Sequence, residues 1–247
     1  MLASTMTIES RFNQIRQRVE AAAVRSGRPG RSVRVIAVSK HRTVEEIQEA
    51  LRAGVTEIAE NRVQEADHKH PLLKDKELVW HLVGHLQGNK AKRAVQVFDW
   101  IHSLDSVKLA ERIDRLAAEI GKQQRVLVQV DLAGEGTKSG LPVAGLFEGL
   151  EQMGKLEHLN VEGFMVLPPF LSDTEDVRPY FSRLRDLRDE AKKRGILAGP
   201  LAELSMGMTH DFEVAIEEGA TMVRIGTALF GERPSSHPTL TQSGTLS

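Results

Sequence analysis

The 247-residue sequence predicts an α/β fold: a single (β/α)8 TIM-type barrel with an extra N-terminal helix. Three observations carry that expectation. Short apolar runs alternate with amphipathic stretches along the chain, the pattern of strands each followed by a helix. Several of the runs are continuously apolar, as parallel strands covered on both faces are. About eight such units fit into this length, which favours a closed barrel over an open doubly wound sheet.

Ile8, Phe12, Ile15, Val19 and Ala22 recur at helical spacing, so an opening helix is expected over Ile8–Arg25, stopped by Gly27 and Pro29. Val33–Ser39 reads as a buried strand. Thr43 then takes an N-cap position with Glu46 at capping-box spacing, which predicts a helix over Val44–Ala53. The further strands are expected at Glu57–Ala59, Leu78–Val83, Trp100–Ser103, Val126–Val130, Leu159–Leu167, Leu201–Ser205 and Thr221–Ile225. The helices between them are expected at Val63–His70, Asn89–Val97, Ser106–Ile120, Leu141–Met153, Asp176–Arg194 and Phe212–Glu218. Most of them end at a glycine, the residue that best adopts a left-handed cap. No composition break divides 1–231, which is expected to be one domain. The Pro-, Ser- and Thr-rich stretch 232–247 is expected to be a disordered tail.

Composition narrows the function classes. A net charge of −1 provides no global field for nucleic acid or an anionic membrane. The absence of cysteine excludes disulfides, thiol catalysis and cysteine metal sites. No apolar stretch reaches the roughly 18 residues of a membrane span. The start, Met1-Leu2-Ala3-Ser4-Thr5-Met6-Thr7, has no basic region followed by an apolar block, so a cytoplasmic protein is expected.

In a barrel of this kind chemistry gathers at the C-terminal ends of the strands. The first strand ends at Lys40, at the edge of an apolar interior. Poor hydration there lowers an amine's pKa and leaves a Schiff-base nucleophile; the bland alternative is a solvated lysine. The last two strands run into Ser205-Met206-Gly207-Met208-Thr209 and Arg224-Ile225-Gly226-Thr227, small and glycine-bearing segments where phosphate often binds. Each could equally be a plain turn. Arg224 lies inside an apolar strand and needs an acidic partner, a ligand or solvent. A reactive lysine beside a phosphate cradle fits pyridoxal 5′-phosphate, whose aldehyde, phosphate and ring nitrogen each need a partner.

Ala37-Val38-Ser39-Lys40, Glu60-Asn61-Arg62-Val63-Gln64-Glu65, Trp80-His81-Leu82-Val83-Gly84, Leu86-Gln87-Gly88-Asn89-Lys90, Thr137-Lys138-Ser139-Gly140, Leu204-Ser205-Met206-Gly207-Met208 and Val223-Arg224-Ile225-Gly226-Thr227-Ala228-Leu229-Phe230-Gly231 follow one another in order. Together they resemble the pyridoxal phosphate homeostasis proteins, a family similar to the N-terminal barrel of alanine racemase (pyridoxal-phosphate fold type III). The resemblance runs from about Ile8 to Gly231. It implies that Lys40 holds the cofactor as an aldimine, that Ser205, Gly207, Gly226 and Thr227 hold its phosphate, that Arg224 faces the pyridine nitrogen, and that Asn61 lines the pocket. It departs at Ala59 and Arg62, where the family often has aromatics, and at Thr209-His210, where it often has a second serine.

A fixed positive charge at the ring nitrogen disfavours its protonation and weakens the ring as an electron sink. A racemase also needs a second proton-transfer group, and the chain has a single tyrosine, Tyr180. The expectation is therefore a monomeric, non-catalytic carrier. It buffers pyridoxal phosphate or delivers it to cofactor-dependent apo-enzymes, within vitamin B6 and amino-acid homeostasis. The alternatives are a weak racemase or related enzyme using the same lysine, and a cofactor-free Schiff-base aldolase. Asn89-Lys90-Ala91-Lys92-Arg93 reads as a solvated helix face and not a nucleic-acid site, with a secondary phosphate contact by Lys90 left open. His81 reads as a barrel-interior histidine. Lys138 is either a second reactive lysine or part of a polar loop. Glu60 and Asp131 could pair with Arg224 or Lys40.

Overall fold

The structure, a computed structural model, describes residues 6–73, 77–134 and 140–232. Eight parallel strands close on themselves: β1 (Arg34–Val38), β2 (Glu57–Glu60), β3 (Val79–Leu82), β4 (Trp100–Leu104), β5 (Gln124–Asp131), β7 (Leu159–Met165), β8 (Glu203–Met208) and β9 (Met222–Ile225). β4 pairs with β5, and β9 returns to β1, where Ile36 lies beside Arg224. This closure is what makes the sheet a barrel and turns the strand ends into one mouth.

The helices follow the expected alternation. They are α1 (Ile8–Arg25), α2 (Val44–Arg52), α3 (Val63–Leu73), α4 (Ala91–Val97), α5 (Val107–Ala118), α6 (Leu146–Met153), α7 (Arg178–Arg194), α8 (Phe212–Glu217) and the short α9 (Thr227–Phe230). Thr43 and Glu46 form the expected capping box of α2. α1 packs on α8 and α9 and buries Phe12, Ile15, Val19 and Ala22. Arg18–Glu213 (2.8 Å) and Arg25–Glu217 (2.9 Å) flank that contact. Both pairs are solvent-exposed and contribute little beside the buried apolar face. No described helix is long and apolar enough to cross a membrane.

The strand expected to Leu167 ends at Met165, the one expected from Leu201 begins at Glu203, α9 was not expected, and two further differences bear on the mouth of the barrel. Leu141–Pro142 is not the start of a helix but a short strand, β6, that pairs with Val130 and Asp131 of β5. Pro142 is extended there, and α6 begins only at Leu146. β8 does not stop at Ser205 but continues to Met208, with a register shift against β9 between Ser205 and Met208. The expected tail, apart from Glu232, lies outside the described residues, as does Lys138.

The main core lies between the barrel and its helices. A smaller apolar cluster fills the barrel itself: Ile36, Ala59, Val83, Trp100, Leu127, Met165 and Met222. The interior also holds buried His81, His102, Ser205 and Arg224.

Candidate functional site

All the residues expected to hold the cofactor fall on four neighbouring strands, β2, β1, β9 and β8, or just beyond their ends. Val38 packs inside the barrel with Ile36 and Ala59, and Lys40 follows two residues later at the rim. Lys40 is half-buried and has no hydrogen-bond or ion-pair partner among the described residues. The register that sets Ile36 beside Arg224 brings Val38 to Gly226; a side chain at Gly226 would first meet Val38, at 3.6 Å. Lys40 thus stands next to the turn after β9. Asn61 closes the other flank from the end of β2. A Cβ on Gly84 would lie 2.1 Å from the Asn61 carbonyl oxygen, so only glycine lets the β3 loop approach there.

The segments expected to cradle phosphate are the ends of β8 and β9. Gly207 is buried with φ +89°, beneath Phe212 and Ala215 of α8. The hydroxyl of Thr209 accepts from the backbone N–H of Ala228 at 3.4 Å and so joins the two loops. Thr209 was absent from the expected set, although its place after the Ser-x-Gly-Met segment was the available signal. Gly226 is half-buried and Thr227 is exposed. Ser205 is elsewhere. Its neighbours Leu204 and Met206 face the outer core, so by strand alternation its side chain is fully buried inside the barrel, where its hydroxyl meets Arg224 and His102.

Arg224 is only 3 % exposed. One terminal nitrogen donates to the Ser205 carbonyl and hydroxyl oxygens, both at 2.7 Å, and the other to the Val166 carbonyl at 2.9 Å. No described carboxylate forms an ion pair with it, and burial lowers its pKa to about 10 despite the field of Asp211. A buried guanidinium held only by neutral oxygens is costly unless something else compensates it. That is the observation that fits a bound ring nitrogen and phosphate. A partnerless amine at the rim and a glycine cradle suit the same group's aldehyde and phosphate.

The carboxylates expected near the mouth take other partners. Glu60 is fully buried behind β1, where its Oε1 accepts from Ser39 Oγ and Lys69 Nζ, both at 2.7 Å. Lys69 also donates to the Ser39 carbonyl at 2.8 Å. Burial pushes the Glu60 carboxyl up, against the opposing pull of Lys69 and Ser39. This triad fixes the backbone immediately before Lys40. Asp131 instead caps its own loop, accepting from the N–H groups of Ala133 and Gly134. A cleft of about 1110 Å³ flanks the site and includes Asn61, Arg62, His85 and Lys90, but not Lys40 or the cradle.

His81 and His102 are fully buried, and burial lowers the pKa of both rings, that of His102 well below the usual histidine value. The sign of the resulting pH dependence follows. Above about pH 6.5 the rings are neutral in the folded and unfolded chain alike; below it only the unfolded chain takes up the protons. Stability is therefore expected to fall as pH drops below about 6.5, by up to about 1.4 kcal/mol per pH unit for each ring. Denaturant unfolding followed between about pH 5 and pH 7.5 checks this, and His102→Asn should flatten the slope.

Comparisons with known proteins show the family and the fold. The family model of the alanine racemase N-terminal domain matches residues 11–234. A pyridoxal phosphate homeostasis protein of Aquifex aeolicus (strain VF5) is 45 % identical over 223 residues, 90 % of this chain and 97 % of the relative. Its counterpart in Escherichia coli (strain K12) is 36 % identical over 227 residues, 90 % and 95 % of the two chains. Among solved structures, PipY of Synechococcus elongatus PCC7942 with PLP bound is 43 % identical with a TM-score of 0.78, covering 88 % of this chain and all of that one. An alanine racemase of Clostridium difficile 630, at 18 % identity and a TM-score of 0.73, covers 93 % of this chain and 58 % of its own. At that identity it shares the fold alone.

Proposed function

This chain belongs to the pyridoxal phosphate homeostasis protein family, and from that membership we propose that it binds pyridoxal 5′-phosphate reversibly and hands it on without catalysing amino-acid chemistry. When bound, pyridoxal 5′-phosphate would supply an aldehyde, and Lys40 is the amine placed to hold it reversibly. The residues of the chain do the rest. Gly207, Thr209, Gly226 and Thr227 provide the phosphate cradle, Asn61 lines the ring's flank, and Arg224 faces the ring nitrogen. Ser205 acts at the ring end instead, by holding Arg224. One chain supplies all of these groups, which suits a monomer acting in the cytoplasm.

The observation that carries this reading is the buried guanidinium of Arg224, on the strand beside Lys40 and held without a carboxylate among the described residues. A guanidinium keeps its proton. Set against the ring nitrogen it disfavours protonation there, so carbanion chemistry on the bound cofactor stays slow. Tyr180, the single tyrosine, sits in the first turn of α7 and not among the site residues. The test is paired. Loaded protein incubated with L-amino acids in D2O should show no α-proton exchange above that of free cofactor, while adding a cofactor-free pyridoxal-phosphate enzyme should restore that enzyme's activity. Rapid exchange would instead establish a racemase-type enzyme.

A further inference from the structure

A line of polar side chains crosses the apolar barrel interior, from Arg224 near the mouth to Glu57 at the floor. Arg224 Nη1 donates to Ser205 Oγ at 2.7 Å. Ser205 Oγ lies 2.9 Å from His102 Nδ1, and His102 Nε2 lies 2.9 Å from His81 Nδ1. His81 Nε2 stands 3.0 Å from Glu57 Oε2, close but not aligned as a hydrogen bond. Ser205, His102 and His81 are all fully buried. At the floor, Arg34 lies 3.8 Å from Glu57 and 3.0 Å from Glu203, with its guanidinium over the Trp100 ring. Arg34 and Glu57 line a small cavity of about 240 Å³ there, on the far side of the barrel from Lys40.

The two ends dictate the direction of every link. A carboxylate oxygen only accepts, and two lone pairs facing each other at 3.0 Å repel, so the His81 proton sits on Nε2. Neutral His81 then accepts at Nδ1, which requires the His102 proton on its own Nε2. His102 in turn accepts at Nδ1, which takes the Ser205 hydroxyl proton. Ser205 is left to accept from Arg224, a group that only donates. No other arrangement with two neutral rings satisfies the whole line.

We propose that His81 and His102 are positioning residues for Arg224: with Ser205 they form a one-way chain of donors from the guanidinium to Glu57, which fixes Ser205 as an acceptor. The proposal rests on the reading that Arg224 faces the ring nitrogen. Its consequence is that the Ser205 hydroxyl proton stays directed at His102 and cannot compete with Arg224 for the ring. Two histidines buried side by side in an apolar barrel thereby have a function that packing alone does not require. A charged His81 would reverse the chain, with His102 donating to Ser205 and the hydroxyl proton released from its acceptor. Burial of both rings opposes that state.

Two measurements on the full chain test this. With histidine ring nitrogens labelled, NMR at neutral pH, with and without bound pyridoxal 5′-phosphate, should show protons on Nε2 of both His81 and His102 and none on either Nδ1. His102→Leu should move the absorbance maximum of the bound cofactor and shift its pH midpoint by about one unit. His102→Asn, which returns an acceptor to Ser205, should restore both. A proton on His102 Nδ1, or an imidazolium at neutral pH, would overturn the proposal without involving the cofactor. So would a wild-type spectrum in His102→Leu if Arg224→Gln still changes it. A wild-type spectrum in Arg224→Gln as well would overturn the ring-nitrogen reading, and the proposal with it.

Discussion

Replacing Lys40 by alanine should abolish the visible aldimine band of protein mixed with pyridoxal 5′-phosphate, leaving the spectrum of the free cofactor and only weak, non-covalent binding. Lys40 contributes nothing to the fold that alanine would disrupt. It is half-buried, follows the last residue of β1 by two positions, and has no partner among the described residues to leave unsatisfied. The backbone before it is held independently by the Ser39–Glu60–Lys69 triad. Thermal stability of the cofactor-free variant should therefore match wild type, while affinity drops by at least about 100-fold, on the order of 2.7 kcal/mol. The phosphate cradle and Arg224 remain, so some binding persists. Absorbance titration against calorimetry separates the covalent from the non-covalent part. A variant that keeps the full visible band would place the amine elsewhere.

Gly207→Ala should be the most damaging small substitution in the cradle. At φ +89° an L-residue costs about 1–2 kcal/mol in backbone strain. The new methyl would also lie 2.6 Å from Ala215 Cβ and 2.9 Å from Phe212 Cα, forcing α8 off β8. Overpacking of that kind adds about 1–3 kcal/mol. Gly121→Ala isolates the first effect, because Gly121 has φ +65° and a methyl added there would meet nothing within 4 Å. It should lose only the backbone share and bind cofactor normally. Gly207→Ala should lose both stability and phosphate affinity, read by thermal unfolding and by competition with inorganic phosphate. Equal behaviour of the two variants would remove Gly207 from the cradle.

The strand and helix order was legible because the apolar runs and their glycine-ended helices repeat with little interruption. Lys40 was legible for the same reason: the end of β1 is marked by a capping box shortly after it. The direction of Ser205 was not. It is set by strand alternation, with Leu204 and Met206 facing the outer core, and a strand expected to end at Ser205 leaves that alternation unread. Pairings across the barrel were hidden too. Glu60 could have met Arg224 or Lys40 from its place at a strand end, and only the packing of α3 against β2 delivers Lys69 to it. His81 was recognisable as an interior histidine, but its neighbour His102 lies on the next strand, and nothing in the sequence marks the pair.

The proposed tether is a single amine, that of Lys40. Borohydride reduction of the loaded protein, followed by proteolysis and mass mapping, tests it most directly. One pyridoxyl group per chain is expected, on the peptide that contains Lys40, and none in Lys40→Ala. A modification that maps to Lys90, Lys138 or any other lysine in the wild-type chain would contradict it.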